Sequence, residues 1–161
     1  MKERLSPEAP RPADGPGLIS SSLRPGHPDL LDLPWEHSLD RWDRQRCPRV
    51  ERLPVGLSRH PVVFVDYDGA IYALKELAPG LAEREYGLLR EMQARKLPTV
   101  EAVGHVRARH EEAGALVDTS VLVTRFLDRS LPYWTLFQSG QLARYREHLL
   151  DAMAILLVQL H

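Results

Sequence analysis

The dipeptide Asp68-Gly69, set between two apolar runs, constrains the fold of this chain more than any other feature. Val62-Val63-Phe64-Val65-Asp66-Tyr67 reads as one strand and Ala70 to Leu77 as a second. Asp-Gly favours a two-residue hairpin turn, because both central positions of that turn need φ > 0. The segment from about Leu81 to Arg95 then reads as a helix, ended by Leu97-Pro98-Thr99. On the second strand Ile71, Ala73 and Lys75 share one face. On the helix Leu81, Glu85, Leu88, Leu89 and Met92 form one stripe, so Glu85 is expected to point at the core. A carboxylate placed there needs a partner, since burying an unpaired charge is costly. Lys75 is the nearest cation able to reach it, and the two are expected to meet.

The remaining sequence sets limits on what that pair can belong to. A chain of 161 residues with 43% hydrophobic content suits one domain plus some excess. A net charge of -1 gives no reason to expect nucleic acid or an anionic membrane surface as a bulk partner. The single cysteine, Cys47, excludes an intrachain disulfide framework and a cysteine-rich metal site, and fits a reducing compartment. The first residues lack the apolar core of a signal peptide, and no stretch reaches the roughly 18 apolar residues of a spanning helix. A cytoplasmic location without a transmembrane segment is expected.

Residues 1–50 read as a proline-rich, largely disordered arm, with breakers dense as far as Asp29 and a short helix at 36–46 showing Leu39 and Trp42 to the domain. Arg52-Leu53-Pro54-Val55 reads as a short edge strand. Beyond the helix, Val100 to Arg107 suggests a strand, Ala108 to Asp118 a polar loop and Thr119 to Leu127 another strand. Leu131 to Gln138 suggests one or two helical turns, and Gln141 to His161 the longest helix. The second half of that helix is apolar on nearly every side, which calls for protein all round it. Either a partner chain covers residues 149–160, or a missing half of the protein does; truncation is the preferred account. The seven histidines show no metal-ligand spacing, and His105 and His110 are expected to be a surface pair. Cys47 has no histidine placed as its base, and Ser20-Ser21-Ser22 reads as a linker.

A strand lysine held by a helix glutamate is the arrangement that presents an ammonium to ATP phosphates. Tyr72-Ala73-Leu74-Lys75 resembles the Val-Ala-Ile-Lys motif of the protein-kinase-like fold, and Glu85 stands where that fold has the glutamate of the next helix. In order along the chain, Gly56-Leu57-Ser58-Arg59-His60-Pro61, Tyr67-Asp68-Gly69, Tyr72 to Leu77, Ala82-Glu83-Arg84-Glu85-Tyr86, Leu122 to Leu127 and Ser130-Leu131-Pro132-Tyr133 resemble the bacterial DUF4032 proteins, often described as lipopolysaccharide-kinase-like. The resemblance covers roughly Leu33 to His161.

This resemblance implies an α+β fold: a protein-kinase-like N-lobe over 51–127, with an antiparallel sheet of about five strands and one large helix. A hinge and the first helices of a truncated C-lobe would follow over 128–161. It implies ATP, with Mg in the full-length protein, as cofactor. Lys75 would contact the α- and β-phosphates and Glu85 would hold it. Ala73 would floor the adenine pocket and Thr124 would be the gatekeeper. Arg125, Phe126 and Leu127 would form the hinge, with backbone groups at Arg125 and Leu127 facing the adenine edge. Gly56, Ser58 and Arg59 would lie in the nucleotide loop, which departs from G-x-G-x-x-G because only Gly56 is glycine. The catalytic aspartate and the metal-binding asparagine and aspartate would lie beyond His161. The chain is therefore expected to be an N-terminal fragment of a kinase-like phosphotransferase, inactive by itself. Two alternatives stay open: a pseudokinase or scaffold, and a small α+β protein-interaction domain whose last helix packs on a partner.

Overall fold

The computed structural model describes residues 15–53, 58–127 and 145–160. Over these residues the protein is α+β, with one six-stranded antiparallel sheet and two α-helices. The strands are β1 (Gly17–Leu23), β2 (Val50–Glu51), β3 (Val62–Tyr67), β4 (Ala70–Leu77), β5 (Ala102–Glu112) and β6 (Ala115–Arg125), and the helices are α1 (Leu81–Ala94) and α2 (Arg146–Leu160). Across the sheet the order is β1-β5-β6-β4-β3-β2.

The β3–β4 hairpin forms in the expected register, from Val62 opposite Lys75 to Tyr67 opposite Ala70. Asp68 and Gly69 have φ of 56° and 79°, and the Gly69 N–H donates to Asp66 Oδ1 at 2.7 Å. Helix α1 follows Gly80, which offers no side-chain cap. Ser120 on β6 supplies one instead: its Oγ accepts from the Ala82 N–H at 3.2 Å and donates to the Ala78 carbonyl at 2.7 Å. The helix ends with Lys96 at φ 59° and the bonds Leu97 N–H to Met92 O and Lys96 N–H to Gln93 O, both 3.0 Å.

The two faces of the sheet are covered differently. One face carries Leu77 and Leu122 against Ala82 of α1, with Tyr86 and Leu89 packed alongside. The expected helix stripe is therefore rotated. Ala82, Tyr86 and Leu89 face the sheet, whereas Leu81 and Leu88 are exposed, because the Ser120 bond draws Ala82 down onto the sheet. The other face carries Val63, Val65, Tyr72, Leu74, Val106, Val121 and Val123 beneath Leu30, Leu33, Trp35, Leu39, Trp42 and Cys47.

That second layer corrects the expectation of a disordered arm over residues 1–50, within the described part of it. Gly17–Leu23 is a strand on the outer edge of β5. Trp42 packs onto the domain as the sequence suggests, with Trp35 buried beside it and ring centroids 5.1 Å apart. Their indole N–H groups are satisfied locally, Trp35 by the Leu30 carbonyl and Trp42 by the His37 carbonyl. The prolines that suggested disorder bracket β1 rather than enter it: Pro16 precedes it and Pro25 follows. Gly104 makes the close approach possible. A Cβ there would lie 2.9 Å from the Leu23 Cα and nearer still to the Ser22 carbonyl oxygen.

Three further expectations change. The helix at 36–46 shrinks to a single 3-10 turn, Leu39–Arg41, because Asp43 Oδ1 takes the N–H groups of Gln45 and Arg46 for a local turn. The expected loop over 108–118 is the continuation of β5 and β6 around Ala113-Gly114, with φ of 50° and 81°. On one face of it Arg109 pairs with Asp118 directly across the ladder, and on the other His110 is buried. The edge strand expected over Arg52–Val55 lies two residues earlier, as β2. Residues 54–57, the turns expected at 131–138 and the start of the last helix lie outside the described residues.

Candidate functional site

Lys75 and Glu85 meet. Lys75 Nζ lies 3.0 Å from Glu85 Oε2 and 3.2 Å from Oε1, so one ammonium spans both carboxylate oxygens. The reason differs from the one expected. The rotated helix leaves Glu85 at the margin of its contact with the sheet, and the two side chains are 33% and 41% exposed. Burial does not force the pair together. It forms because β4 and α1 are joined by a three-residue link that sets the sixth residue of the strand beside the fifth of the helix.

Pairing across the sheet places the other residues relative to that ammonium. Cross-strand partners share a face. Ala73 is opposite Phe64 on β3 and Thr124 on β6, so these three lie on the Lys75 face, one pair of residues along. Phe126 continues β6 by donating its N–H to the Ile71 carbonyl at 2.9 Å, and its ring meets Phe64 edge-on with centroids 5.1 Å apart.

The remaining expected site residues are arranged less favourably. Arg125 lies between Thr124 and Phe126 and faces away: its Nη1 donates to the Tyr72 hydroxyl at 3.3 Å and its guanidinium stacks on that ring. Its backbone N–H is bonded to the Glu101 carbonyl at 2.9 Å, so that donor is committed inside the fold. Leu127 is exposed. Ser58 is also occupied locally, donating to the His60 carbonyl and accepting from the His60 N–H, and Arg59 is exposed. Gly56 lies outside the described residues.

The structure thus gathers Lys75, Glu85, Ala73, Thr124 and Phe126 around one face of β4 and turns Arg125 to the other. Phe64 was absent from the expected set. Its place was readable, since a two-residue turn at 68 and 69 pairs 64 with 73 by counting outward.

The histidines need a correction of their own. His110 is 4% exposed, not on the surface, and its Nδ1 has no hydrogen-bond partner while lying 3.9 Å from Glu76 Oε1. His105 packs its ring against Tyr86. Among the described residues no three histidine, cysteine, aspartate or glutamate side chains are placed to hold a metal ion. Cys47 is buried, and burial pushes its thiol up, away from a reactive thiolate.

A polar cluster lies by the turn of the β3–β4 hairpin. Asp32 accepts from the Tyr67 hydroxyl and from Arg49 Nε, whose guanidinium also stacks on the Tyr67 ring. Burial alone would raise the Asp32 carboxyl, but the bonds from Tyr67 and Arg49 outweigh it and hold it below the usual range. Burial, reinforced by the bond to Asp32, raises the Tyr67 hydroxyl.

No described helix is long and apolar enough to cross a membrane. Scans against models of protein families, characterised proteins and solved structures return no match to this chain.

Proposed function

We propose that this chain is the nucleotide-binding lobe of a protein-kinase-like fold, with Lys75 as the phosphate anchor and Glu85 as the residue that orients it. The observation carrying this reading is the Lys75–Glu85 contact, in which one ammonium is shared by both carboxylate oxygens beside the small Ala73. Three features support it: the lysine strand is interior to the sheet, the glutamate helix follows it directly, and the strand paired with Ala73 runs into the expected hinge. An ammonium fixed in this way can neutralise phosphate oxygens without first giving up a random search of rotamers.

ATP would bring the phosphate charge that Lys75 neutralises, and its base would lie on the Ala73 face. Magnesium is assigned to no residue here. Phosphoryl transfer needs metal ions and a positioned hydroxyl, so the function proposed for this chain is binding.

Titration calorimetry with ADP and with MgATP tests the reading. The wild-type chain is expected to bind, and Lys75→Ala to weaken binding at least about tenfold, the usual worth of a charge-assisted hydrogen bond. Glu85→Gln should weaken it less, because it disturbs the ammonium without removing it. Wild-type affinity in Lys75→Ala would sink the assignment.

Helix α2 favours a second reading, an interaction module. Leu150, Met153, Ile155, Leu157 and Val158 are all exposed on it, a continuous apolar surface of the kind that marks a contact site. Sedimentation of the chain at increasing concentration separates the two: a defined oligomer with no nucleotide affinity supports the interaction module.

A further inference from the structure

The expected base-binding face is partly covered, with Ala73 itself half-buried. Neighbouring strands lie about 4.8 Å apart, so β3 and β6, on either side of β4, are roughly 10 Å apart. Phe64 on β3 and Phe126 at the end of β6 nevertheless bring their ring centroids to 5.1 Å at an interplanar angle of 70°. To do so the rings must lean toward each other across β4. Of the β4 side chains on that face, Ile71, Ala73 and Lys75, only the methyl of Ala73 is small enough to lie beneath them. The aromatic pair therefore occupies space that a flat base resting on Ala73 would need.

The two rings are not equally free to move. Phe64 is 7% exposed and sits mid-strand, paired with Glu51 on one side and Ala73 on the other. Phe126 is only half-buried, lies beyond the last residue of β6 and precedes the exposed Leu127.

We propose that Phe126 gates this site: an adenine base enters by displacing the Phe126 ring and stacking on Phe64 beside Ala73, so the arrangement described is the closed one. The proposal rests on the nucleotide reading above and adds its regulation. Closure would lower affinity by the equilibrium cost of opening.

The test is ADP titration of wild type, Phe126→Leu and Phe64→Leu, with Lys75→Ala as a control for phosphate anchoring. Phe126→Leu removes the edge-to-face contact that competes with the base and should bind roughly threefold to tenfold tighter. Phe64→Leu removes the stacking platform and should bind more weakly. Weaker binding by Phe126→Leu, with Lys75-dependent binding intact in the wild type, overturns the gate and leaves the nucleotide site standing. No binding by any variant overturns both. A measurement on the unmodified chain guards against a variant that misfolds. Only three phenylalanines are present, Phe64, Phe126 and Phe137, so their ring resonances can be assigned. Saturating ADP should shift those of Phe64 and Phe126 as their contact breaks, and unchanged Phe126 resonances overturn the gate.

Discussion

Replacing Gly104 by alanine tests how β1 is held. The added methyl would stand 2.9 Å from the Leu23 Cα and 2.8 Å from Leu23 Cδ2, with the Ser22 carbonyl oxygen closer still. Carbon atoms at rest sit about 3.5–4.0 Å apart, so β1 and β5 must separate by several tenths of an ångström or more. Overpacking of this sort costs about 1–3 kcal/mol. Escape by peeling β1 away costs ladder hydrogen bonds and the partial burial of Leu18 and Leu23, which pack on the core. Against a typical total of about 5–15 kcal/mol, a loss near 2 kcal/mol should lower the melting temperature by roughly 4–8 °C. The assay is urea unfolding combined with amide exchange, in which protection of Ser20 to Leu23 should fall most. Adding Leu23→Ala should not restore stability, because two of the three obstructing atoms belong to the backbone. Rescue by Leu23→Ala, or a Gly104→Ala protein within 0.5 kcal/mol of wild type with β1 protection unchanged, would refute the steric account.

Further outcomes can be checked on the same preparations. Lys75→Ala and Glu85→Ala should each cost at most about 1 kcal/mol in urea unfolding, because half-exposed ion pairs contribute little; a larger loss would make the pair structural. Lys96→Gly should raise stability by roughly 0.5–1 kcal/mol, since Lys96 closes α1 at a φ of 59° that glycine adopts without strain. Ser120→Ala should cost about 1–2 kcal/mol, as the buried hydroxyl caps α1 and bonds the Ala78 carbonyl. Acid should destabilise the protein through Asp118, lowered by its hydrogen bond from Arg109, and through Asp32. Groups lowered on folding stabilise above their unfolded pKa of about 4 and lose that contribution as pH falls, so Asp118→Asn should flatten the acid limb of melting temperature against pH. Tyr67 has the opposite sign: its raised hydroxyl stabilises fully below about pH 10 and less above, and Tyr67→Phe should remove that alkaline loss.

The hairpin was legible because its signals are local. Asp68-Gly69 needs only its own two residues to choose a turn, and counting outward then aligns Lys75, Ala73 and Phe64. The Lys75–Glu85 contact followed from the same region, although burial was the wrong reason for it. What escaped depends on distant partners. Ser20-Ser21-Ser22 carries no apolar alternation, and becomes a strand because β5 offers an open edge and Gly104 a gap. The stripe on α1 was read one turn-position away, since Ser120, nearly forty residues downstream, decides which side of the helix meets the sheet. The polar β5–β6 tip looked like a loop because Arg109 to Glu112 are polar on both faces, and His110 is buried only where Glu76 of β4 lies beside it.

The layer formed by residues 30–50 has a consequence for synthesis. Leu18 and Leu23 wait for β5, and Trp35, Trp42 and Cys47 wait for strands that leave the ribosome after them. Gly17 pairs with Arg109, so the first described strand cannot close until over ninety more residues have been made. Contacts so far apart in sequence form slowly, and a nascent chain carries Trp35 and Trp42 incompletely covered for several seconds at ordinary elongation rates of about 5–20 residues per second. The apolar segment therefore precedes the strands that cover it, first β3 and β4 and last β5 and β6.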